Sequence, residues 1–418
     1  MCIRDRHTRT KIICTIGPST NSYKAIKELA LAGMNVVRIN MSHADHDSAK
    51  KIISYVTKFN DNNSSKVAVL LDTQGPEIRT GDRELPMDLK LGDMVSLTVR
   101  DEIDVETSSI KINYKDLIKS VKKGSRISVD NGLINFEVIS KDHETLECKV
   151  LDGGKLGSKR HVNLPGVRIN LPSITAKDID DIQFGITQKV DFIALSFVRN
   201  ARDVAELNKI LIDHKSSAKI ISKIENYDGL NNIDEICMSS WGVMVARGDL
   251  GIETSLTNLP NIQRKIMHSC AKHGKRSIVA THLLESMIKN PTPTRAEVTD
   301  IANAIYEGTD AVMLSGETSI GKYPVECIKF IKTIAQETEK FKTLGYEKNL
   351  ILDSDWKYIG QTAKNLAESI KANGIIAITR TGATASFIAS AKPNGVPIFT
   401  FTNNEVTHRQ LSLVGSTI

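Results

Sequence analysis

Short runs of β-branched and aliphatic residues recur along the chain, and each run ends in polar residues. The eight clearest runs begin at Lys11, Asn35, Lys66, Asp191, Ala218, Gly242, Arg276 and Asp310. Most are separated by stretches of helical period, such as YKAIKELALAGM, whose apolar residues share one face. Eight strand-then-helix units are typical of a (β/α)8 TIM barrel, so we predict an α/β fold of this class.

The third and fourth runs lie much farther apart than the others. One βα crossover does not need so much chain, so the pattern predicts an inserted domain over residues 82–172. Its short alternating runs, such as DMVSLTVR and LINFEVIS, are divided by Gly and Asp turns, as in small β domains. We predict an all-β lid domain here, built as a β-barrel, with the catalytic barrel formed by residues 1–81 and 173–343.

A helical stretch and two further apolar runs follow the eighth unit. We predict a C-terminal α/β regulatory domain over residues 344–418, and this domain is apparently truncated. If Ile418 is the true end of the protein, Leu411, Leu413 and Val414 are expected to lack packing partners.

Composition narrows the class of protein. Of 418 residues, 40% are hydrophobic and 25% charged, which is ordinary for a globular protein, and neither a membrane-length apolar run nor a signal peptide is visible. We therefore predict a cytoplasmic protein with no membrane partner. The six cysteines, Cys2 included, are scattered without a C-x-x-C pair, which favours reduced thiols over structural zinc. The net charge of +6 suits small anionic ligands, and no basic, aromatic-interleaved block indicates a nucleic-acid partner.

Polar residues that end parallel barrel strands should meet at one mouth, where the chemistry of such barrels lies. Lys223 and Glu225 are two residues apart and so point to the same side of their strand, while Asp249 follows the next strand. Two carboxylates can hold Mg²⁺ together with substrate oxygens, and the lysine can neutralise a transferring phosphoryl group. A structural ion network is the alternative interpretation of these three residues.

Other catalytic motifs lose support on inspection. GETSIGKY, residues 316–323, departs from the P-loop pattern because Tyr323 replaces the small hydroxyl that reaches Mg²⁺. The dinucleotide glycine pattern, the G-x-S-x-G elbow and the H-E-x-x-H zinc helix are absent from the sequence. Hydride transfer and hydrolysis are therefore disfavoured.

Several longer motifs surround the candidate residues. They include TKIICTIGPST, GMNVVRINMSHAD, LLDTQGPEIRTG, NLPGVRINLPSITAKD, ISKIEN, MVARGDLGIE and GTDAVMLSGET. In this order they closely resemble the pyruvate kinase family, from about Thr10 to the last residue, whereas the opening MCIRDRH resembles nothing in it. The resemblance implies transfer of the phosphoryl group of phosphoenolpyruvate to ADP, giving pyruvate and ATP in the final step of glycolysis. It also implies Mg²⁺ (or Mn²⁺) and K⁺ as cofactors.

By motif match, the resemblance assigns roles at the mouth. Catalytic residues would be Lys223, Thr281 and Arg38. Substrate contacts would be Arg38, Lys223, Gly248, Asp249 and Thr281. Mg²⁺ ligands would be Glu225 and Asp249, and K⁺ ligands would be Asn40, Ser42, Asp72 and Thr73. Hard oxygen ligands suit both cations.

Nucleotide and effector positions also follow from the resemblance. Nucleotide contacts would be Asn40, His43, Arg79 and Arg160. Effector contacts would be Thr379, Thr381, Gly382 and Thr384. Arg160 and His161 depart from the lysine and glycine common in the family, and this puts the phosphate geometry there in doubt. The effector turn has an ordinary N-capped turn as its alternative.

The implied partners are phosphoenolpyruvate, ADP or ATP, and a phosphorylated allosteric effector, and a homotetramer is expected if the C-terminal domain is complete. Two rival functions stay open at this point. One is a non-catalytic effector-binding protein of the same family, which should have lost metal or phosphate ligands. The other is a different phosphoenolpyruvate-using barrel enzyme with carbon–carbon bond chemistry, which needs neither the lid nor the nucleotide arginines.

Overall fold

The computed structural model describes residues 8–100, 109–130, 132–167 and 171–418. In chain order, the strands found within these residues are β1 (Lys11–Thr15), β2 (Val36–Asn40), β3 (Ala68–Asp72), β4 (Met87–Leu89), β5 (Met94–Thr98), β6 (Ser109–Lys111), β7 (Arg126–Val129), β8 (Ile134–Lys141), β9 (Thr145–Asp152), β10 (Gly154–Leu156), β11 (Val162–Asn163), β12 (Phe192–Leu195), β13 (Lys219–Ile224), β14 (Gly242–Ala246), β15 (Arg276–Ala280), β16 (Ala311–Leu314), β17 (Ile375–Ile378) and β18 (Ile398–Phe401).

The α-helices of the same described ranges alternate with the barrel strands or lie in the last segment of the chain. They are α1 (Tyr23–Ala32), α2 (His46–Asp61), α3 (Leu117–Ser120), α4 (Ala176–Thr187), α5 (Ala201–Asp213), α6 (Tyr227–Asn231), α7 (Ile233–Ser239), α8 (Arg247–Glu253), α9 (Leu259–His273), α10 (Arg295–Tyr306), α11 (Gly316–Ser319), α12 (Pro324–Thr338), α13 (Asp355–Ser369), α14 (Ala383–Ser390) and α15 (Glu405–Leu411).

The eight apolar runs form one closed parallel barrel, in the order β1-β16-β15-β14-β13-β12-β3-β2, which confirms the predicted fold. Its strands are buried on both faces, as their continuous apolar runs require. The barrel interior is filled by side chains such as Ile13, Leu70 and Ile278. Because adjacent strands are in register, Asn40 pairs with Asp72 and their polar ends reach the same rim.

Where the structure describes it, the inserted segment is all-β except for the short helix α3, and it has a core of its own. Its described strands form a six-stranded sheet, β11-β7-β8-β9-β5-β6, and a two-stranded ladder, β10-β4. Closure of these sheets into a β-barrel, and the boundaries at residues 82 and 172, stay predictions. Two isolated bridges, Arg79 with His161 and Thr80 with Ile112, lie where the insert joins the barrel.

The last segment of the chain packs against the barrel more closely than its sequence suggested. Leu411, Leu413 and Val414 are all buried, so the expectation that they lack partners is wrong. Leu413 joins the apolar core inside the barrel, and Leu411 and Val414 pack with Ala377 and other residues of the C-terminal segment. A local sequence pattern could not reveal these contacts because their partners lie far away along the chain.

Buried ion pairs join this segment to the barrel. Arg409 of α15 donates from Nε to Oδ1 of Asp191 at 2.9 Å, and Asp191 precedes strand β12. Nearby, Asp310 lies 3.2 Å from Arg276 and 2.8 Å from Lys392. Burial raises the pKa of the Asp191 carboxyl to about 6, although Arg409 opposes this shift.

The described cysteines, Cys14, Cys148, Cys237, Cys270 and Cys327, are free and buried, as the sequence predicted. Cys2, the opening MCIRDRH and the three residues at positions 168–170 of the NLPGVRINLPSITAKD motif lie outside the described residues. No helix of the described ranges is long and apolar enough to cross a membrane.

We expect Arg409→Met to destabilise the chain at neutral pH by about 3 kcal/mol, because the buried Asp191 carboxylate loses its partner. Thermal unfolding should show a smaller loss near pH 5 than near pH 7, since Asp191 can take up a proton there. In the wild type, the raised pKa means that the contribution of Asp191 to stability falls as the pH rises from about 4 to about 6. The control is Arg202→Met on the exposed face of α5. Equal losses in both variants at every pH would contradict the prediction.

Candidate active site

A cavity of about 310 Å³ opens at the carboxyl ends of the barrel strands. Nine of the predicted site residues line it: Arg38, Asn40, Ser42, His43, Arg79, Arg160, Lys223, Glu225 and Asp249. The other four barrel residues do not line it: Asp72 accepts from the lining residue Arg38, Thr73 accepts from the N–H of Ser196, and Gly248 donates to Thr281. The structure therefore brings together, at one mouth, residues from the ends of five strands, β2, β3, β13, β14 and β15, and from the insert.

Lys223 is the centre of the site. Its side chain is mostly buried in β13, and its Nζ lies 3.0 Å from Oδ1 of Asp72 and 3.0 Å from Oε1 of Glu225. It also donates to Oγ of Ser196 at 2.7 Å. Burial favours the neutral amine, but Asp72 and Glu225 outweigh it and raise the pKa of Lys223 above its usual range. The lysine is thus a fixed cation.

Asp72 joins Lys223 to Arg38. Its Oδ2 accepts from Nε of Arg38 at 2.7 Å, and the same guanidinium donates from a terminal nitrogen to Oγ1 of Thr15 at 3.0 Å. Burial would raise the pKa of the Asp72 carboxyl, but Lys223 and Arg38 together lower it below the usual value. Asp72 therefore stays ionised and orients both cations toward the cavity.

The pKa values of Glu225 and Asp249 are shifted in the opposite direction from that of Asp72. Oε2 of Glu225 accepts from the backbone N–H of Phe197 at 2.7 Å, and Oε1 contacts Lys223. The pKa values of Glu225 and Asp249 are both raised, chiefly by burial, with Lys223 acting against the shift. Two desolvated carboxyls that resist ionisation are a donor set that a divalent cation would stabilise, so they fit Mg²⁺.

The four residues predicted to hold K⁺ lie on neighbouring strand ends. Asn40 and Asp72 are register partners, and Oδ1 of Asn40 accepts from the N–H of Ser42 at 3.2 Å. Oδ1 of Asp72 is buried, and its contact with Lys223 is an ion pair rather than a directed hydrogen bond. Carboxylate, amide, hydroxyl and carbonyl oxygens so close together fit a hard monovalent cation.

The loop after β15 has a strained backbone. Thr281 and His282 have φ values of 70° and 53°. Residues other than glycine rarely adopt such positive φ values, and β-branched residues such as threonine avoid them most strongly. Oγ1 of Thr281 accepts from the N–H of Gly248 at 2.8 Å and donates to the carbonyl of Ala280 at 2.6 Å. The Gly248 amide, which the resemblance assigned to substrate, is therefore bonded to Thr281 in this structure.

Arg247 fixes this strained loop and was missed at the sequence level. Its guanidinium donates to the carbonyl of Thr281 at 2.6 Å and to both carboxylate oxygens of Asp300, at 2.7 and 2.8 Å. The sequence gives little indication of this role, because Arg247 simply follows strand β14 and begins α8. Phe197 was missed too, and its own φ is 53°.

Two of the predicted nucleotide residues, Arg79 and Arg160, lie on the insert side of the cavity, whereas Asn40 ends β2 and His43 lies in the loop after it. Arg79 donates from Nε to Glu77 at 2.7 Å and from a terminal nitrogen to the carbonyl of Lys159 at 2.8 Å. Arg160 is half-exposed and lies 3.3 Å from Asp130. Next to it, Nδ1 of His161 lies 3.8 Å from Asp249, and burial lowers the pKa of the imidazole.

Two further sequence features have structural rather than catalytic surroundings. Glu317, at the end of the eighth run, is fully buried and accepts from the backbone amides of Ser315 and Leu284 at 2.7 and 3.0 Å.

The four residues predicted to contact an effector lie outside the cavity, at the turn from β17 to α14. There, Gly382 has a φ of 83° and its N–H donates to Oγ1 of Thr379 at 3.0 Å.

A closed barrel with an inserted β segment, and with a buried lysine between carboxylates at its mouth, is the fold and site of a barrel phosphotransferase. Comparison with known families agrees. Residues 7–328 match the family model "Pyruvate kinase, barrel domain", and residues 357–418 match "Pyruvate kinase, alpha/beta domain". The chain belongs to the pyruvate kinase family.

Curated relatives support the same assignment. Plastidial pyruvate kinase 2 of Arabidopsis thaliana is 43% identical over 419 residues, covering 97% of this chain and 70% of the relative. Pyruvate kinase of Staphylococcus aureus strain MRSA252 is 43% identical over 413 residues, with the same two coverages. The activity is that of the family, transfer of the phosphoryl group of phosphoenolpyruvate to ADP, which ends glycolysis. Family members generally use a divalent metal and potassium.

We expect Mg²⁺ to raise the melting temperature of the wild-type chain, and more so near pH 8 than near pH 6. The reason is that protons compete with the metal for Glu225 and Asp249, whose pKa values are raised, so the affinity for Mg²⁺ increases as the pH rises. Glu225→Gln should lose most of the shift, whereas Glu147→Gln on the exposed face of the insert should keep it. A shift that is independent of pH, or equal in all three proteins, would contradict this.

Proposed function

We propose that Lys223, Arg38, Glu225 and Asp249 carry the phosphoryl transfer in this chain. The observation that carries the proposal is the position of Nζ of Lys223, 3.0 Å from both Asp72 and Glu225 at the mouth of the barrel. A loose phosphoryl transition state spreads negative charge over its equatorial oxygens, and a preorganised cation stabilises that charge. A non-catalytic relative would not be expected to keep the whole set.

Lys223 acts in this proposal as a charge and not as an acid. Because its pKa is raised, the ammonium keeps its proton at neutral pH. Arg38 supplies a second fixed cation, oriented by Asp72 and Thr15. Both groups are held by hydrogen bonds before a ligand arrives, so they need little reorganisation when the charge moves.

Glu225 and Asp249 would hold Mg²⁺, which when bound supplies further neutralisation of phosphate charge. Asn40, Ser42, Asp72 and Thr73 would hold K⁺. In the transfer, the bond from phosphorus to the enol oxygen of phosphoenolpyruvate breaks as the bond to an oxygen of ADP forms. The enolate then takes up a proton at carbon and becomes pyruvate.

Thr281 would lie near the carbon that is protonated. Its hydroxyl already donates to the carbonyl of Ala280 and accepts from Gly248. Proton delivery through this hydroxyl would therefore require it to change its acceptor, while Arg247 holds the loop through the carbonyl of Thr281. The backbone amide of Asp249 would contact substrate, as the motif match implies.

The insert would close over the cavity and exclude water, which otherwise weakens the electrostatic stabilisation. The nucleotide phosphates and base would be contacted by Arg79 and Arg160 from the side of the insert, and by Asn40 and His43 from the end of β2. Their position in the lining of the same cavity as Lys223 supports the proposal.

The decisive experiment is pyruvate formation from phosphoenolpyruvate and ADP, with Mg²⁺ and K⁺, by three variants and the wild type. We expect Lys223→Met and Glu225→Gln to lower kcat by at least about 10³-fold, in the range of a lost transition-state contact. Lys219→Met is the matched control, because Lys219 begins the same strand at the opposite end of the barrel. It should keep wild-type turnover.

A folded wild-type chain that binds Mg²⁺ but makes no pyruvate would contradict the proposed activity for this chain. Turnover that survives in Lys223→Met would instead refute the role of the lysine. Circular dichroism of each variant separates a lost fold from a lost function.

Three further assignments are proposals of the same kind. The turn of Thr379, Thr381, Gly382 and Thr384 would bind a phosphorylated effector, supported by the left-handed Gly382 and the helix that begins after it. A homotetramer and a cytoplasmic location complete the proposal, the latter supported by the free thiols. The Arabidopsis relative, in contrast, is named plastidial.

A further inference from the structure

Helix α4 contacts both loops that carry the proposed K⁺ ligands. One loop follows β2, which ends at Asn40, and includes Ser42; the other follows β3, which ends at Asp72, and includes Thr73. Two carboxylates of the helix, those of Asp178 and Asp181, are 0% and 3% exposed. Buried carboxylates this close to a site need partners, and the loops supply them.

Asp178 positions the loop after β3. Its Oδ1 accepts from the N–H of Gly75 at 3.0 Å, two residues beyond Thr73. Its Oδ2 accepts from the N–H and the hydroxyl of Thr175, at 2.9 and 2.6 Å, which completes the capping box of α4. This contact joins the loop to the rigid first turn of the helix.

Asp181 positions the loop after β2 through two donors. Its Oδ2 accepts from Nζ of Lys177 at 2.6 Å, and the same ammonium donates to the carbonyl of Met41 at 2.8 Å. Met41 lies between Asn40 and Ser42. Oδ1 of Asp181 lies 2.9 Å from Nε2 of His46, the first residue of α2. Both ends of the loop are therefore tied to one carboxylate.

A metal site is the alternative interpretation, since His46, Asp180 and Asp181 place ligand atoms within 4.8 Å of one another. The Lys177 ammonium already occupies one oxygen of Asp181, and Asp180 is 75% exposed. Both oxygens of Asp181 already take part in contacts with Lys177 and His46, and the His46 ring stacks on Phe184 with ring centroids 4.3 Å apart. The contacts are those of a hydrogen-bonded support.

We propose that Asp181 is a positioning residue for the monovalent cation. Through Lys177 and His46 it sets the distance between the loop of Asn40 and Ser42 and the loop that Asp178 holds. The proposal rests on the proposed function, and in particular on the K⁺ site. It predicts that loss of the Asp181 charge weakens K⁺ binding. The rate of phosphoryl transfer should return to the wild-type value at high K⁺ concentration.

The test measures the melting temperature of the chain against K⁺ concentration, at constant ionic strength with N-methylglucamine chloride. Binding to the folded state alone raises the melting temperature, so the midpoint of the curve reports affinity without any turnover. We expect Asp181→Asn to raise the half-saturating K⁺ concentration about tenfold, equal to about 1.4 kcal/mol. Asp180→Asn removes the same charge from the exposed face of the same helix and should leave it unchanged.

A second variant covers the case in which Asp181→Asn does not fold. His46→Phe keeps an aromatic ring on Phe184 but loses the hydrogen bond to Asp181, and should raise the midpoint about threefold, or about 0.7 kcal/mol. In activity assays on samples that circular dichroism shows to be folded already at low K⁺, high K⁺ should restore the kcat of either variant.

The proposal would be overturned if the curves of melting temperature against K⁺ concentration coincided for the wild type, Asp180→Asn, Asp181→Asn and His46→Phe. A wild type that forms pyruvate but shows no K⁺ response would overturn it together with the cation site, and would leave phosphoryl transfer standing. A wild type that responds to K⁺ but forms no pyruvate would count against the proposed function alone, since the K⁺ curves still decide the role of Asp181.

Discussion

The structure of the mouth depends on one buried ammonium group, that of Lys223. An uncompensated charge in this position would be strongly destabilising, and so would each of the carboxylates around it. Asp72 and Glu225 each lie 3.0 Å from Nζ, and Ser196 accepts a directed hydrogen bond from it. Removal of Lys223 would leave Glu225 without this cation, and removal of Asp72 would take a carboxylate from both Lys223 and Arg38, so these buried charges depend on one another for stability.

Barrel geometry makes this arrangement possible. Lys223 belongs to β13, Asp72 to β3, and Ser196 follows β12, which pairs with both of those strands. Parallel register brings three strand ends to the same height, where each contributes one polar group above the apolar layers of the interior. The lower end of the barrel is closed by Leu413 and by the ion pairs of Asp191 and Asp310. The candidate chemistry is therefore confined to one end of the barrel, whereas buried charges contribute to stability at both ends.

The sequence predicts the barrel well because each strand is a short apolar run with polar residues at its end. It also identifies Lys223, Glu225 and Asp249, since strand period and position suffice for them. It does not predict the contact of Ser196 with Lys223, which depends on the register between β12 and β13. The sequence likewise does not predict the burial of Leu413 or the ion pair of Arg247 with Asp300, because both depend on contacts between distant parts of the chain. Strain is the hardest feature to foresee, since Thr281 is a residue type that avoids positive φ.

That strain indicates which parts of the site can move. Phe197, Thr281 and His282 hold positive φ angles at the mouth, each at a cost of about 1–3 kcal/mol, and such angles persist only where surrounding contacts impose them. Phe197 is held by Glu225, and the loop of Thr281 by Arg247. The rim of the barrel is therefore fixed before ligands bind, as electrostatic preorganisation requires. In the proposed mechanism, adjustment to substrate would then come from the insert, which meets the barrel through the bridges of Arg79 with His161 and Thr80 with Ile112. The rim would supply the fixed charge that phosphoryl transfer demands, and closure of the insert would exclude water.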